Sequence, residues 1–401
     1  MLRSMYSGVS GLRGHQTMMD VVGNNIANVN TAGYKTAQVV FQDLLSQVLQ
    51  GAGLPEGAGG TNPAQVGLGM RLAGVSTSFT QGGLQNTGRA TDLSIQGDGF
   101  FVVRTAAEAF YTRAGAFSFD ATGRLVTPSG AVVQGWPADA TGVVNTNGPV
   151  ADIVMPVGQV LDPARTTIVE LGGNLPSDAA VGTEIVSSIT AFDAQGSAVP
   201  VAFVCQKTGA GQWSVTATSN GATVGTATLT FDAAGTLTSP GTTTLTMPDG
   251  STLTARLGAA GQPLTQFAQL NTVAALSQNG SPAGSLQSFS ISPDGVVTGV
   301  FSNGRNQPLA QIALANFNNP NGLEKVGDSM FRPTVNSGVQ QIGAAGGNGR
   351  GMLAGGTLEM SNVDLAQEFT NLIVAQRGFQ ANSRVITASD ELLQDLVNLK
   401  R

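Results

Sequence analysis

The side chains that usually carry acid–base or metal chemistry are scarce in this chain of 401 residues. It contains one His, His15, and one Cys, Cys205, which lie far apart in the sequence. A zinc site needs three or four such ligands, and a Ser-His-Asp triad would have to use His15 within a glycine-rich segment. We therefore predict no catalytic residue, no cofactor-binding residue and no metal site, and we expect His15 to lie on a helix surface or at an interface.

Carboxylates recur in three short loops with the pattern Phe-Asp-Ala-x-Gly, at residues 119–123, 192–196 and 231–235. Each loop offers one carboxylate, whereas a calcium site needs several oxygen ligands at alternate positions. An Asp that bonds back to the backbone, followed by a Gly at positive φ, makes a tight turn between strands. The pattern therefore predicts turns. The chain has no Gly-Lys-Ser/Thr sequence, so its glycine-rich segments do not match a phosphate-binding loop.

The composition excludes several classes of protein. The net charge is −6, and charged residues make up 11% of the chain, against about 25% in average soluble domains. No basic stripe for nucleic acid and no apolar run for a transmembrane helix is present. The first twenty residues lack the apolar core and cleavage site of a secretory signal peptide, so any export is expected to leave this end intact. A surface so poor in charge suits dense packing against neighbours.

An apolar stripe with helical spacing begins the chain, over residues 2–29. Its members lie mostly three or four positions apart, and they are Leu2, Met5, Val9, Leu12, Met19, Val22 and Ile26. Glycines at 8, 11, 14 and 23 weaken such a helix by about 1 kcal/mol each relative to Ala. We therefore expect this helix to form when a partner covers its stripe.

A stronger helical pattern ends the chain, over residues 361–400. Ser361 and Asp364 resemble a capping pair, and no Pro follows them. The apolar seam advances in steps of four and three with one polar column, through Leu365, Phe369, Leu372, Gln376, Phe379, Ser383, Ile386, Asp390, Leu393 and Val397. An intramolecular helix pair is the simpler alternative. The length of the seams favours packing between copies, with both helices disordered in the isolated chain.

Between the two helical regions the apolar period changes to two. Residues 93–103 predict a strand, a Gly-Asp-Gly kink and a buried strand. The spacing of turn signals predicts antiparallel β-domains, as sandwiches or barrels. The Gly-rich segments 51–60 and 342–356 are expected to be flexible joints.

These patterns predict an α+β, mostly β fold. The terminal helices would form a coiled-coil-like inner domain, with two antiparallel β-rich outer domains. The expected division is 1–70 with 356–401 for the helical domain and its hinge, 71–145 with 286–355 for the first β-domain, and 146–285 for an inserted second β-domain.

Two clusters give the chain a family resemblance. The first lies at the end of the first helix and contains Asn24, Asn25, Asn28, Asn30, Gly33, Tyr34 and Lys35; the second contains Gly97, Gly99, Phe100 and Phe101. With residues 111–136 and 361–401, they resemble the motifs of the bacterial flagellar rod and hook axial proteins, and most closely those of the hook members. The segment 166–175 is similar to hook proteins where they enter a second β-domain, and rod members lack this insertion.

The resemblance implies a non-enzymatic structural subunit of a bacterial flagellum. Hook subunits self-assemble into a curved flexible tube, outside the cell, that transmits torque from rod to filament. The implied partners are other copies of the chain, the distal rod, the hook cap, the hook–filament junction proteins and the flagellar type III export apparatus, which needs no cleaved signal. Nucleic acid, cofactors and direct membrane insertion are not expected.

Two other classes stay open at this point. A distal-rod-type axial protein would fit if the insertion were unrelated to hook proteins. A secreted β-rich adhesin or binding module would fit the turn-rich, charge-poor middle, but it would not explain the long carboxy-terminal helix. An enzyme is disfavoured by the shortage of catalytic residue types.

Overall fold

The computed structural model describes residues 2–52, 60–106, 108–139, 141–155, 158, 160–258 and 263–398, with the side chains of Leu2 and Leu396 left out. Most of the predicted joint 51–60 and the last three residues of the carboxy-terminal motif lie outside this range. The chain forms two compact units. The first comprises Met1–Met155, Phe289–Thr298 and Pro308–Arg401, and the second comprises Pro156–Ser288 and Gly299–Gln307.

The first unit contains both terminal helices, α1 at Leu2–Ala27 and α2 at Leu365–Asn398. Asp364 caps α2, because its Oδ1 accepts hydrogen bonds from the N–H groups of Ala366 at 2.8 Å and Gln367 at 3.2 Å. Among the described residues, the Ser361 hydroxyl oxygen accepts only the N–H of Val363, at 3.4 Å. The predicted helix start at Ser361 is therefore corrected to Asp364. Neither helix that the structure describes is long and apolar enough to cross a membrane.

The two helices pack against each other within the chain through small residues. The Oγ atoms of Ser4 and Ser389 lie 3.3 Å apart. A Cβ added to Gly8 would lie 3.1 Å from Ile386 Cγ1, and one added to Gly11 would lie 2.5 Å from Asn382 Oδ1. The structure thus has the intramolecular helix pair that the sequence analysis gave as the simpler alternative. Glycines that weaken an isolated helix allow two backbones to approach closely.

The strands of the first unit that precede Met155 have the following bounds: β1 Ala37–Asp43, β2 Ser46–Gln50, β3 Ala64–Gly67, β4 Met70–Thr77, β5 Leu84–Asn86, β6 Leu93–Gln96, β7 Phe100–Thr105, β8 Glu108–Thr112, β9 Ser118–Phe119, β10 Leu125–Val126, β11 Val132–Pro137 and β12 Ala151–Asp152. The second unit adds β13 Val160–Leu161, β14 Ile168–Asn174, β15 Glu184–Phe192, β16 Ala198–Gly209, β17 Gln212–Ser219, β18 Ala222–Thr230, β19 Thr242–Thr246, β20 Thr252–Leu257, β21 Leu264–Thr265 and β22 Ala274–Gln278. Residues of both units occur in β23 Gly284–Ile291, β24 Val296–Phe301 and β25 Asn306–Ile312. The remaining strands belong to the first unit and precede α2. They are β26 Leu314–Asn316, then, after a 3-10 turn at Pro320–Gly322, β27 Glu324–Gly327, β28 Met330–Arg332, β29 Gln341–Gly343, β30 Met352–Gly355 and β31 Thr357–Glu359.

An antiparallel sheet is the centre of the first unit. Its neighbouring strands are β25, β11, β7, β8, β28 and β27. Aromatic side chains make edge-to-face contacts in its core, with ring centroids of Phe100 and Phe317 5.8 Å apart and those of Tyr111 and Phe317 4.8 Å apart. Two-stranded pairs, β6 with β30 and β5 with β31, connect this body to the segment before α2.

The second unit is built from two sheets around one core. The strands β15, β16, β17 and β18 form an antiparallel meander, and its core side chains include the fully buried Trp213 and Phe203. The other sheet is mixed, because β14 pairs parallel with β20 and β21 and antiparallel with β22. The prediction of a purely antiparallel second domain is therefore wrong. An alternating apolar pattern fixes which side chains are buried, but it does not specify strand direction.

The three Phe-Asp-Ala-x-Gly loops are turns, as predicted. In each loop the Asp Oδ1 accepts hydrogen bonds of 2.8–2.9 Å from the backbone N–H groups two and four residues later. The glycines Gly123, Gly196 and Gly235 have φ values of 79°, 82° and 78°. Such a φ strains residues with a Cβ.

The Gly-rich segment 342–356 is structured, so its assignment as a flexible joint is wrong. Its ends belong to β29 and β30, which pair with β26 and β6. The N–H of Gly351 donates to the Asp98 carbonyl oxygen at 2.7 Å. Gly346 and Gly349 both have a φ of 76°. Its glycines therefore serve tight turns and close backbone contacts.

Candidate assembly interface

The asparagine cluster at the end of α1 is a hydrogen-bonded joint. Asn25 is buried, and its side chain donates to the Ala37 carbonyl oxygen at 2.8 Å and accepts from the Ala37 N–H at 3.0 Å. The Tyr34 hydroxyl donates to Asn24 Oδ1 at 2.9 Å, and Asn28 Nδ2 donates to the Asn24 carbonyl oxygen at 2.9 Å. The amides thus satisfy backbone groups where the helix stops and the chain turns into β1.

A buried ion pair lies beside this joint. Lys35 Nζ is 2.6 Å from Glu359 Oε1, and both side chains are fully buried. Lys35 Nζ also donates to the Thr80 carbonyl oxygen at 2.7 Å, and Arg113 Nη1 lies 3.5 Å from Glu359 Oε2. The cluster therefore connects the segment after α1, the β-body at Arg113, and β31, which leads into α2.

Burial and neighbouring charge shift two pKa values at the joint. Burial lowers the pKa of Lys35 below that of an ordinary lysine, and its contact with Glu359 opposes this shift. Burial also raises the pKa of Tyr34, and the negative charge of Glu368 adds to the rise. Both pKa shifts therefore reflect an environment in which water solvates the charged form of the side chain poorly.

Other motif residues shape the backbone. Gly33 has a φ of 70°, and a Cβ there would lie 2.5 Å from the Ala114 nitrogen. Gly97 and Gly99 have φ values of 107° and 128° and make the kink between β6 and β7. Phe100 and Phe101, which follow the kink, are buried in the core. Asn30 is exposed and makes no side-chain hydrogen bond to any residue that the structure describes.

Of the predicted seam residues whose side chains the structure describes, half are exposed and half are partly or fully buried. The exposed ones are Val9, Leu365, Phe369, Gln376, Phe379, Ser383, Asp390 and Val397. The partly buried ones are Met5, Leu12, Met19, Ile26, Leu372, Ile386 and Leu393, and Val22 is buried. Leu2 falls among the side chains that are not described. The contact between α1 and α2 includes the predicted seam residue Ile386. It also uses small residues that the sequence analysis missed, Ser4, Gly8 and Gly11, although their regular spacing was a visible signal.

A β-ribbon packs on α1 and leaves an apolar groove. The ribbon joins β1 to β4 and β2 to β3 in antiparallel pairs. The groove has a volume of about 390 Å³, and its lining residues include Tyr6, Val9, Arg13, Leu44, Leu68, Arg71 and Leu72. No carboxylate is among the described residues that line it. We call this feature the α1 groove.

The side chains that could bind a metal ion or react as a nucleophile are scattered or buried among the described residues. Within the described parts of the chain, no group of three or more His, Cys, Asp or Glu side chains is placed to hold a metal ion. Cys205 is buried in β16, and burial raises the pKa of its thiol to about 11. Its thiolate, the reactive form, is therefore suppressed at neutral pH.

Four family models match successive parts of the chain. They are described as Flagella basal body rod protein, at residues 5–35, Flagellar hook protein FlgE/F/G D1 domain, at 94–173, Flagellar basal body protein FlaE D2 domain, at 164–281, and Flagellar basal body rod FlgEFG protein C-terminal, at 354–399.

Relatives of known name match along the whole chain. The flagellar hook protein FlgE of Borreliella burgdorferi is 43% identical, with 100% of both chains covered. The flagellar basal-body rod protein FlgG of Bacillus subtilis is 34% identical over the same shares. The crystal structure of Helicobacter pylori hook protein FlgE2 covers 69% of this chain and 100% of its own, with a TM-score of 0.54 and 15% identity, which shows a shared fold. The chain belongs to the flagellar hook protein FlgE family.

Proposed function

We propose that this chain is the structural subunit of a bacterial flagellar hook, which self-assembles into a curved flexible tube that transmits torque from rod to filament. The observation that carries the proposal is the full-length identity of 43% to a hook protein, higher than the 34% to a rod protein. A match to the D2 domain model across residues 164–281 agrees with the second β-domain expected of a hook protein.

The terminal helices are proposed as the inner wall of the tube. The amino-terminal stripe and the carboxy-terminal seam would meet their counterparts on neighbouring copies in a coiled-coil-like layer. Exposed apolar side chains on α2 support this, with Phe369 49% and Val397 69% exposed. At about 25 cal/mol per Å² of apolar surface, covering them between copies contributes substantially to assembly.

The remaining domains would form the outer layers. We keep the division into 1–70 with 356–401, 71–145 with 286–355, and 146–285 as a proposal. Charge-poor contacts between outer domains would slide at low cost as each protofilament lengthens and shortens in the bent tube. Cross-linking the outer domains of neighbouring copies should then straighten or stiffen the tube; an unchanged bend would contradict sliding.

The partners and the location that we propose for the protein are those expected of a member of the hook family. We propose contacts with the distal rod, the hook cap and the hook–filament junction proteins, and export by the flagellar type III apparatus without a cleaved signal. The protein would then act outside the cell as part of the flagellum, with no enzymatic activity, no nucleic acid and no membrane insertion.

Polymerisation of the purified chain tests this function. We expect concentration-dependent light scattering and, by electron microscopy, tubes with a regular helical lattice. A distal-rod protein would give straight, stiff tubes, so curvature decides between the two axial functions. A chain that remains monomeric at every concentration and binds a glycan or a protein ligand would instead support the adhesin class.

A further inference from the structure

The helix α1 has two opposite faces that are used differently. One face, with Ser4, Gly8 and Gly11, is covered by the α2 helix of the same chain. Tyr6, Val9 and Arg13 lie about half a turn away, at positions i, i+3 and i+7, and line the α1 groove. An α-helix is about 10 Å in diameter, so the chain's own α2 cannot reach around α1 into this groove.

The α1 groove is apolar in its walls and basic at its rim. Tyr6 is 72% exposed, and Leu44, Leu68 and Leu72 are each more than a third exposed. The guanidinium of Arg13 has no ion-pair or hydrogen-bond partner among the described residues, and that of Arg71 bonds only Gln42 Oε1, at 3.2 Å. A segment that binds in the α1 groove should therefore carry an apolar side chain with negatively charged side chains beside it.

The end of α2 has this complementary chemistry. Leu392 is 57% exposed, and the adjacent Glu391 and Asp395 are exposed. Neither carboxylate makes an ion pair or hydrogen bond to any residue described in the structure. Helical spacing places Glu391 and Asp395 away from Ser389 and Ile386, which contact α1. Leu392 follows Ser389 by three residues, so it lies at the edge of that contact with more than half of its surface exposed. We call this set, Glu391, Leu392 and Asp395, the acidic ridge.

We propose that the α1 groove of one copy binds the acidic ridge of a second copy. Leu392 would enter between the apolar walls, and Glu391 and Asp395 would pair with Arg13 and Arg71. The inference rests on the proposed function and names the contact that a hook polymer would use. Because groove and ridge are different surfaces of one chain, the contact is head-to-tail, and such contacts repeat into open helical polymers.

Charge reversal tests this pairing. We expect Arg13→Glu/Arg71→Glu and Glu391→Arg/Asp395→Arg each to raise the critical concentration for polymerisation roughly tenfold, measured by sedimentation at low salt. The chain with all four substitutions should return to within about threefold of the wild type. Asp178→Arg, an exposed site in the second unit, controls for a change of net charge. Circular dichroism should show that every variant is folded.

Cross-linking tests whether the contact joins two copies. Polymers grown from a mixture of Tyr6→Cys and Leu392→Cys chains should form a disulfide between the two kinds of chain. The native Cys205 is buried, with its thiol pKa raised to about 11, so it does not compete.

Three results would overturn the inference. The first is wild-type polymerisation by the Arg13→Glu/Arg71→Glu chain, the second is no rescue in the fourfold variant, and the third is a disulfide formed only within a monomer carrying both cysteines. In each case the wild-type tubes would leave the proposed function intact. A wild-type chain that never polymerises would overturn both.

Discussion

At the scale of single residues, the buried cluster of Lys35, Glu359 and Arg113 is the most consequential feature. Transfer of charges out of water is costly, and it is tolerated only where the charges compensate one another. Here one carboxylate faces two cations, at 2.6 Å and 3.5 Å. The cluster therefore makes the position of the helix pair on the β-body depend on a few specific side chains.

Removing the shared carboxylate should be strongly destabilising. Glu359→Gln leaves Lys35 and Arg113 buried without an anion, so we expect the free energy of unfolding to fall by about 3–5 kcal/mol. Chemical denaturation measures this change. The matched control is Glu324→Gln, because its ion pair with Arg332 is about half exposed and should change stability by under about 1 kcal/mol. Equal, small effects of both substitutions would contradict a structural role for the buried cluster.

Acid should weaken the turns that depend on an ionised Asp. In Asp120 and Asp232 the pKa lies below the usual 3.8, mainly because Thr122 and Thr236 hydroxyls donate to the carboxylates. The unfolded chain binds more protons in this range, so the stabilisation is present above about pH 4 and is lost as pH falls further.

Calorimetry between pH 5 and pH 2 would measure this loss. The Asp120→Asn/Asp232→Asn variant should show a shallower fall in melting temperature than the wild type. An Asp20→Asn/Asp178→Asn variant should follow the wild type, because those carboxylates make no hydrogen bond to the residues that the structure describes. Parallel curves for all three proteins would refute the prediction.

At the scale of elements, the glycines of α1 have a role that helix propensity alone does not reveal. Each costs about 1 kcal/mol relative to Ala in an isolated helix. Gly8 and Gly11 offset this cost by letting α2 approach closely. Gly23, in contrast, faces open space, with no atom within 4 Å of an added Cβ.

Substitution by a larger side chain should distinguish a glycine in the helix contact from one that faces open space. Gly11→Leu should force the helices apart at Asn382 and reduce stability by about 1–3 kcal/mol. Gly23→Leu should be neutral or stabilising by up to about 1 kcal/mol, because it only improves helix propensity. Helical circular dichroism during thermal unfolding measures both. Comparable losses in the two variants would mean that helix propensity, not close packing, sets the effect.

At the scale of the whole molecule, each chain leaves apolar surface on its terminal elements. The ribbon strands β2 and β3 are exposed on both faces, and isolated two-stranded ribbons are marginal in water. The exposed side chains of α2 add to this surface. A monomer with such patches lowers its free energy by association, which agrees with the proposed polymer.

A charge in the seam should block assembly without unfolding the subunit. Phe379→Asp and Leu372→Asp should each abolish tubes seen by electron microscopy, because a carboxylate would be buried between copies. Gln380→Asp places the same charge one residue away, outside the predicted seam, and should still assemble. Normal tubes from Phe379→Asp would rule out the seam.

Features that depend on local geometry could be predicted from the order of the residues. The Phe-Asp-Ala-x-Gly turns, the kink between β6 and β7 and the presence of a helix at each end of the chain followed from backbone preferences of neighbouring residues, although the start of α2 did not. The motif residues of the amino-terminal cluster could also be recognised in the sequence, because asparagines and glycines are typical of helix ends and turns. The family resemblance rested on the same short segments.

Features that depend on contacts between residues distant in sequence could not be predicted in this way. The fold sets which face of α1 meets α2, pairs Lys35 with Glu359, and makes β14 parallel to β20. It also orders the Gly-rich segment 342–356 as tight turns between β29 and β30. An apolar stripe on a helix indicates that this face of the helix is covered, but it does not indicate which element covers it. The ion-pair partner of a buried charged residue likewise cannot be identified from the sequence, because only the fold brings the two side chains together.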